Sequence, residues 1–288
     1  MGPFEYLEPQ TLKRTLSSFN NYGNKAKVLA GGTDLVPLLK DKTLRPEYLI
    51  SIGRIADLDY IRMDKNGIRI GALTTICSID QSPQIKAHCG ILCQAASQMA
   101  SMAIRNVATL AGNLCNASPA ADMAPALLAL SATVKLVSVT GERVVPLEEY
   151  FIGPGSTVLK PNELMTEIQM PTPAPKTGGA YIKYTTGGGE ELALVGVAAL
   201  ITMTDGTCTD VKIALGAVAP TPIRAPKTEK LLIGKKIDDN LIKKAARTAS
   251  DESSPINDIR GSAEYRREMI KIIARDAIKQ AAEMAKGV

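Results

Sequence analysis

Hydrophobic and polar positions along this chain follow two rhythms, and the change from one to the other divides it. From the amino terminus the pattern predicts a helix over 10–21, a strand over 27–30, a helix over 34–40 and a strand over 48–52, together a small α/β unit. A hairpin follows, pairing 58–62 with 68–72 around Lys65-Asn66-Gly67, whose Asn-Gly step favours a tight turn. Helices are expected over 75–81, 83–102 and 123–132, with Pro83 suited to a first helical turn. A second hairpin joins 133–139 to 143–147 at Thr140-Gly141.

The run Pro171-Thr172-Pro173-Ala174-Pro175-Lys176-Thr177-Gly178-Gly179 reads as a linker. Beyond it, strands over 180–185, 193–203 and 208–218 form an antiparallel meander with a turn at Asp205-Gly206, and helices follow over 227–232, 238–250 and 262–285. In the last helix Tyr265, Met269, Ile272, Ile273 and Ala277 recur at helical spacing and are expected to face the core.

Composition narrows the classes of function. A chain of 288 residues with 45% hydrophobic content has room for two or three compact units. Its net charge of +5 is spread among interspersed acids and bases, and three Phe, eight Tyr and no Trp offer few platforms for base stacking. No apolar stretch nears the ~20 residues of a membrane span, and the first residues lack the blocks of a signal peptide. A soluble, cytoplasmic protein with no nucleic-acid partner and no membrane span is expected. The five cysteines, Cys77, Cys89, Cys93, Cys115 and Cys208, include no C-x-x-C pair and cannot supply the spacing of an iron–sulfur cluster. Cys89 and Cys93 read as small buried hydrophobes. The one histidine, His88, has no partner for a metal site or a hydrolytic triad. Redox or group-transfer chemistry in this chain therefore requires an imported cofactor.

Two loops offer a place for one. Leu29-Ala30-Gly31-Gly32-Thr33-Asp34-Leu35 ends a strand in two glycines before a helix, which allows backbone N–H groups to approach a phosphate. Some eighty residues on, Thr109-Leu110-Ala111-Gly112-Asn113 gathers small residues again, and Asp122 stands at the start of another helix. Together the two loops could grip one pyrophosphate. Neither has the spacing of a Rossmann fingerprint or a P-loop.

Taken in order, several segments resemble the FAD-binding medium subunits of the molybdenum hydroxylases, the family of carbon monoxide and xanthine dehydrogenases. They are Ala30–Leu35, Ile104-Arg105-Asn106, Thr109–Asn113, Ser118-Pro119-Ala120-Ala121-Asp122, Tyr150-Phe151-Ile152-Gly153-Pro154-Gly155 and Leu159-Lys160-Pro161-Asn162-Glu163-Leu164. Past the linker the match continues through Tyr181-Ile182-Lys183-Tyr184, Leu194–Ala199 and Ser262-Ala263-Glu264-Tyr265-Arg266. The resemblance implies an α+β fold: a two-lobed FAD-binding domain of the vanillyl-alcohol-oxidase type, with lobes over 1–57 and 58–175, then a C-terminal domain over 178–288 with a three-stranded antiparallel sheet and helices. It further implies that Val28, Leu29, Ala30, Gly31, Gly32, Thr33, Asp34 and Leu35, with Thr109, Leu110, Ala111, Gly112 and Asn113, contact the FAD pyrophosphate. Ala100 would lie near the adenine end, Asp122 would accept a hydrogen bond from the flavin's sugar-alcohol chain, Met165 would approach the isoalloxazine ring, and Lys183 would stand at the ring's polar edge.

The function so implied is that of an electron-transfer oxidoreductase subunit. Electrons would arrive from [2Fe–2S] clusters on a small subunit, the molybdopterin cofactor would sit on a large subunit, and FAD would deliver to NAD or another acceptor. A dimer of heterotrimers is the implied assembly. The alternative is a self-contained FAD-dependent oxidase or reductase of the same flavin-binding fold. One stretch departs from the family pattern: Thr185-Thr186-Gly187-Gly188-Gly189-Glu190-Glu191-Leu192 lacks the arginines common after Tyr184, although Glu191 can replace an aspartate. Three consecutive glycines predict a mobile segment there.

Overall fold

The computed structural model describes residues 2–187 and 191–287. The triple-glycine expectation falls largely on Gly188 and Gly189, outside those residues.

The first layer is a three-stranded parallel sheet of order β1-β3-β2, made by β1 (Glu5–Leu7), β2 (Ala26–Leu29) and β3 (Tyr48–Ser51), with α1 (Leu12–Tyr22) and α2 (Leu35–Lys40) between them. Thr11 caps α1 through its hydroxyl. Leu16, Phe19, Ile50, Ile52 and Leu58 form a compact core under this sheet.

The second layer begins with the hairpin β4 (Ile61–Asp64) and β5 (Gly67–Gly71). Then come α3 (Ile76–Gln81), α4 (Pro83–His88), α5 (Gly90–Ser97), α6 (Met102–Arg105), α7 (Leu110–Cys115) and α8 (Met123–Ala129). The hairpin β6 (Thr133–Ser138) and β7 (Gly141–Pro146), the small pair β8 (Phe151–Gly153) and β9 (Ser156–Thr157), and β10 (Leu164–Met170) complete it. Its sheet has the order β4-β5-β10-β6-β7, with helices packed over one face in the largest core, where Cys89 and Cys93 are buried.

The last layer is an antiparallel sheet of β11 (Thr177–Tyr184), β12 (Val195–Thr204), β13 (Thr207–Gly216) and β14 (Ile223–Arg224). It is covered by α9 (Pro226–Leu232), α10 (Asp239–Asp251) and α11 (Ala263–Gly287) around a third core.

Four sequence expectations change, and one strand, β10, carries no signal in the sequence. The first change is that the three-stranded sheet expected in the last layer gains a fourth strand, the two-residue β14 paired with β13. The helix expected over 83–102 is three helices. Cys89, at φ −140°, breaks the first junction, and a turn containing Ala100 at φ +42° breaks the second. The central strand β10 has no alternating signature, because Glu167 is buried alongside its apolar residues and donor groups satisfy it: the Tyr60 hydroxyl and the Gln169 amide both bond its carboxylate. Thr177, Gly178 and Gly179 are not linker but the start of β11, where Gly178 lets the backbone of α11 approach; a Cβ there would lie 2.1 Å from the Ala281 carbonyl oxygen. In α11 the buried stripe is Ile270, Ile273, Ala274, Ala277, Ile278 and Ala281, whereas Tyr265 and Ile272 are exposed. The small alanines set that face, since they permit close packing on β11 and β12.

Candidate functional site

A cavity of about 660 Å³ opens where the loop after β2 meets the loop before α7, within the size range of cofactor and ligand pockets. Gly31 makes the junction possible. A Cβ built on it would fall 1.9 Å from the Val107 carbonyl oxygen, so the two loops touch backbone to backbone. Gly32 adopts φ +74°, a left-handed turn that a side chain resists, and its carbonyl accepts the Val36 N–H at 2.9 Å as α2 begins. Opposite, the Thr109 hydroxyl accepts the Gly112 N–H at 3.1 Å and caps α7. A Cβ on Gly112 would come within 2.8 Å of that hydroxyl.

Val28, Ala30, Gly31, Gly32, Thr33, Asp34 and Leu35 line the cavity on one side, and Thr109, Ala111, Gly112 and Asn113 on the other, with Met165 contributed by β10. Leu29 and Leu110 are not among the lining residues; Leu110 is fully buried in the core. Ala100, Asp122 and Lys183 also lie outside the lining. Burial pushes the Asp34 carboxyl above the ordinary carboxylate range, against a hydrogen bond with Thr33. Asn113 carries the clearest sign of a missing partner in the wall: its Oδ1 is buried without a hydrogen bond, while its Nδ2 rests 3.9 Å from Met99 Sδ. A buried acceptor without a donor suits a polar ligand with hydroxyls or N–H groups. With two loops of small residues and exposed backbone, the site fits an extended, anionic, hydroxyl-bearing cofactor such as FAD.

Several lining residues were not singled out from sequence. Leu159, Lys160, Pro161 and Glu163 form one wall; their motif was legible but not its place. The wall is held rigidly, because Arg143 makes a two-pronged contact to Glu163 (2.8 Å each) and also reaches the Val158 carbonyl, while the Lys160 N–H bonds Glu163 Oε2. The Arg143 guanidinium draws the Glu163 carboxyl below its usual range, against the effect of burial. Met99 and Cys115 also line the cavity. Burial raises the Cys115 thiol to about 11, so it stays protonated, and it lies 3.3 Å from the Tyr150 hydroxyl. No sequence signal marked Met99, whose position depends on the break after α5.

Asp122, Lys183 and Tyr181 form a buried group beside the cavity. Lys183 Nζ donates to Asp122 Oδ2 and to the Gln98 carbonyl, each at 3.0 Å, and the Tyr181 hydroxyl donates to Asp122 Oδ1 at 3.0 Å. Burial lifts the Asp122 carboxyl while Lys183 and Tyr181 oppose that shift. The Tyr181 phenol is raised by burial and by the Asp122 charge, and so remains a donor. Asp122 stands just before α8 but its side chain makes no cap there. The group also ties two layers together. Gln94 and Gln98, one turn apart on and just after α5, bond the open edge of β11: Gln94 accepts from Tyr181 N–H and donates to the Gly179 carbonyl, and Gln98 accepts from Lys183 N–H and donates to the Tyr181 carbonyl.

Comparison with known proteins extends this picture. Residues 2–173 match the family model described as the FAD binding domain in molybdopterin dehydrogenase, and residues 180–281 match the CO dehydrogenase flavoprotein C-terminal domain. The chain is 36% identical to the glyceraldehyde dehydrogenase medium chain of Sulfolobus acidocaldarius, over 97% of this chain and 98% of that one. It is 33% identical to the carbon monoxide dehydrogenase medium chain of Afipia carboxidovorans, over 99% of each. Among solved structures it resembles a chain of the Cu,Mo-CO dehydrogenase in its cyanide-inactivated form, with a TM-score of 0.95 at 32% identity, covering 98% of this chain and 99% of the other. A chain of the carbon monoxide dehydrogenase from Hydrogenophaga pseudoflava gives a TM-score of 0.95 at 34% identity, over 98% of both.

Proposed function

Because this chain belongs to the family of FAD-binding medium subunits of the molybdopterin dehydrogenases, we propose that it is the flavin-carrying electron-transfer subunit of a multi-subunit dehydrogenase. The observation that carries the reading is the contact of Gly31 with Val107, which sets two backbone-rich loops on one cavity. Residues 1–57 and 58–175 act as the two lobes that hold FAD, and 178–288 as the C-terminal domain.

In this reading Val28, Ala30–Leu35, Thr109 and Ala111–Asn113 bind the pyrophosphate, and Asn113 Oδ1 accepts from the cofactor. Ala100 lies toward the adenine end. Asp122 accepts from the flavin's sugar-alcohol chain, Met165 on β10 offers its backbone to the ring, and Lys183 stands at the ring's polar edge. When bound, FAD exchanges one or two electrons and so connects single-electron clusters to two-electron acceptors. The walls of the cavity orient it. Among the described residues no group of three His, Cys, Asp or Glu side chains could hold a metal ion. A small [2Fe–2S] subunit and a large molybdopterin subunit are the proposed partners, arranged as a dimer of heterotrimers, with NAD as one candidate acceptor. The substrate pocket belongs to the large partner.

The test is anaerobic flavin bleaching. The isolated, FAD-loaded chain is mixed with aldehydes, heterocycles or CO, then mixed again with the iron–sulfur and molybdopterin subunits present. Reduction only in the assembled complex supports the reading. Rapid reduction of the isolated chain by any of these substrates points instead to a self-contained flavin oxidase.

A further inference from the structure

Ile104-Arg105-Asn106 is part of the family pattern, yet nothing in the cofactor reading gives it a task. In the fold, Arg105 reaches back from the end of α6 to the turn that follows α5. Its Nη1 donates to two consecutive carbonyls, Met99 at 2.9 Å and Ala100 at 2.6 Å. Lys183, arriving from β11, takes the carbonyl immediately before them, Gln98, at 3.0 Å. Three successive carbonyls in the turn just beyond α5 thus face two cations.

The clamped turn is strained. Ala100 sits at φ +42°, a left-handed conformation that residues with a Cβ adopt only when their surroundings enforce it. The turn also has a consequence for the cavity. Met99 is part of the wall, and Asn113, whose Oδ1 has no partner, leans on the Met99 sulfur. Arg105 is joined to the opposite wall through the backbone as well: the Val107 and Ala108 N–H groups bond the Ile104 carbonyl, Val107 abuts Gly31, and Ala108 lines the cavity.

We propose that Arg105 is a positioning residue for the cofactor, holding the Met99-Ala100 turn in its left-handed form so that Met99 and Asn113 present a fixed wall to FAD. This inference rests on the flavoprotein reading above. Arg105 does not itself line the cavity. Its effect passes through the turn. Lys183 provides the second hold from the C-terminal layer, which makes the shape of the wall depend on how that layer docks.

Glycine accepts the left-handed conformation without a Cβ penalty, and this separates a positioning role from general stabilisation. The experiment measures the FAD dissociation constant, by flavin fluorescence and visible circular dichroism, for the full-length parent and for Arg105→Met, Arg105→Lys, Ala100→Gly and the Ala100→Gly/Arg105→Met pair. Arg105→Met is expected to weaken FAD roughly 10- to 100-fold, the scale set by losing charge-assisted hydrogen bonds, and to alter the circular dichroism of what remains bound. Arg105→Lys should fall between, because ammonium keeps the charge but loses the paired geometry. Ala100→Gly alone is the reference for the pair, and on that glycine background the loss caused by Arg105→Met should be much smaller than it is in the parent. If Arg105→Met does not yield folded protein, Arg105→Lys and its pairing with Ala100→Gly give the same comparison. Parent-like affinity in the arginine variants overturns the inference, and so does a loss as large on the glycine background as in the parent. A parent that binds no FAD sinks the flavoprotein reading itself; a parent that binds FAD as tightly as every arginine variant sinks only this inference.

Discussion

Lys183 Nζ lies 3.0 Å from Asp122 Oδ2, and the two side chains are only 3% and 6% exposed although they come from different layers of the fold. A buried pair of this kind holds its place because each charge would be costly alone. Removing one partner leaves an uncompensated buried charge, at roughly 3–5 kcal/mol, whereas removing both often costs little. Lys183→Met and Asp122→Asn are each expected to lower stability to denaturant on that scale, and the double variant should recover much of the loss. The coupling is read from a double-mutant cycle; additive losses would show that the two charges do not depend on each other.

The same pair makes a redox prediction with a sign. With FAD loaded, Lys183→Met leaves a net negative charge beside the cavity and should lower the flavin midpoint potential. Asp122→Asn leaves a net positive charge and should raise it, because reduced flavin gains negative charge that a cation stabilises. The double variant should return toward the parent value in a spectroelectrochemical titration. Identical potentials in all four proteins would place the pair too far from the ring to matter.

Backbone contact between the loops predicts a ranking among glycines. Gly31→Ala puts a Cβ within 1.9 Å of a carbonyl oxygen that cannot swing aside, so it should eliminate most FAD binding. Gly112→Ala meets only the Thr109 hydroxyl, at 2.8 Å, and should weaken binding less, with loss of the α7 cap costing about 1 kcal/mol. Flavin content of the purified variants gives the order; equal retention would mean the loops need not touch.

Acid should loosen the wall over 158–163. Glu163 has a depressed carboxyl in the folded chain, chiefly through its hydrogen bonds with Arg143. A depressed folded value adds stability at pH above the unfolded value near 4.5, and that stability fades as pH falls through the folded value. Glu163→Gln should therefore be less stable at pH 7 by about 1–2 kcal/mol, a range kept low because Arg143 is partly open to water. The gap between the two proteins should close at lower pH in matched denaturation curves, and a gap that widened on acidification would reverse the assigned sign.

Much of this architecture is legible in the residues. Short hairpins and amphipathic helices announce themselves, and the Lys65-Asn66 turn before Gly67, the last-layer meander and the glycine loops all stand where local chemistry calls for them. What escapes is whatever depends on partners distant in sequence. The strand β10 carries Thr166, Glu167 and Gln169, and only the neighbouring strands and the Tyr60 hydroxyl make such a sequence a central strand. The break after α5 is invisible because Ala100 is an ordinary helix former until Arg105 and Lys183 seize the carbonyls around it. Asp122 and Lys183 could each be marked by the family pattern, but their mutual pairing could not, since it requires β11 to dock against Gln94 and Gln98. Likewise Met99 enters the cavity wall only through that turn.

The most direct test of the account is the flavin stoichiometry of the full-length chain after incubation with excess FAD and removal of the unbound cofactor. Close to one FAD per chain, with Gly31→Val reduced to near zero while its far-ultraviolet circular dichroism stays that of a folded protein, is the predicted result. A folded parent that retains no FAD, or a Gly31→Val variant that retains as much as the parent, would contradict the assignment of this cavity as the flavin site.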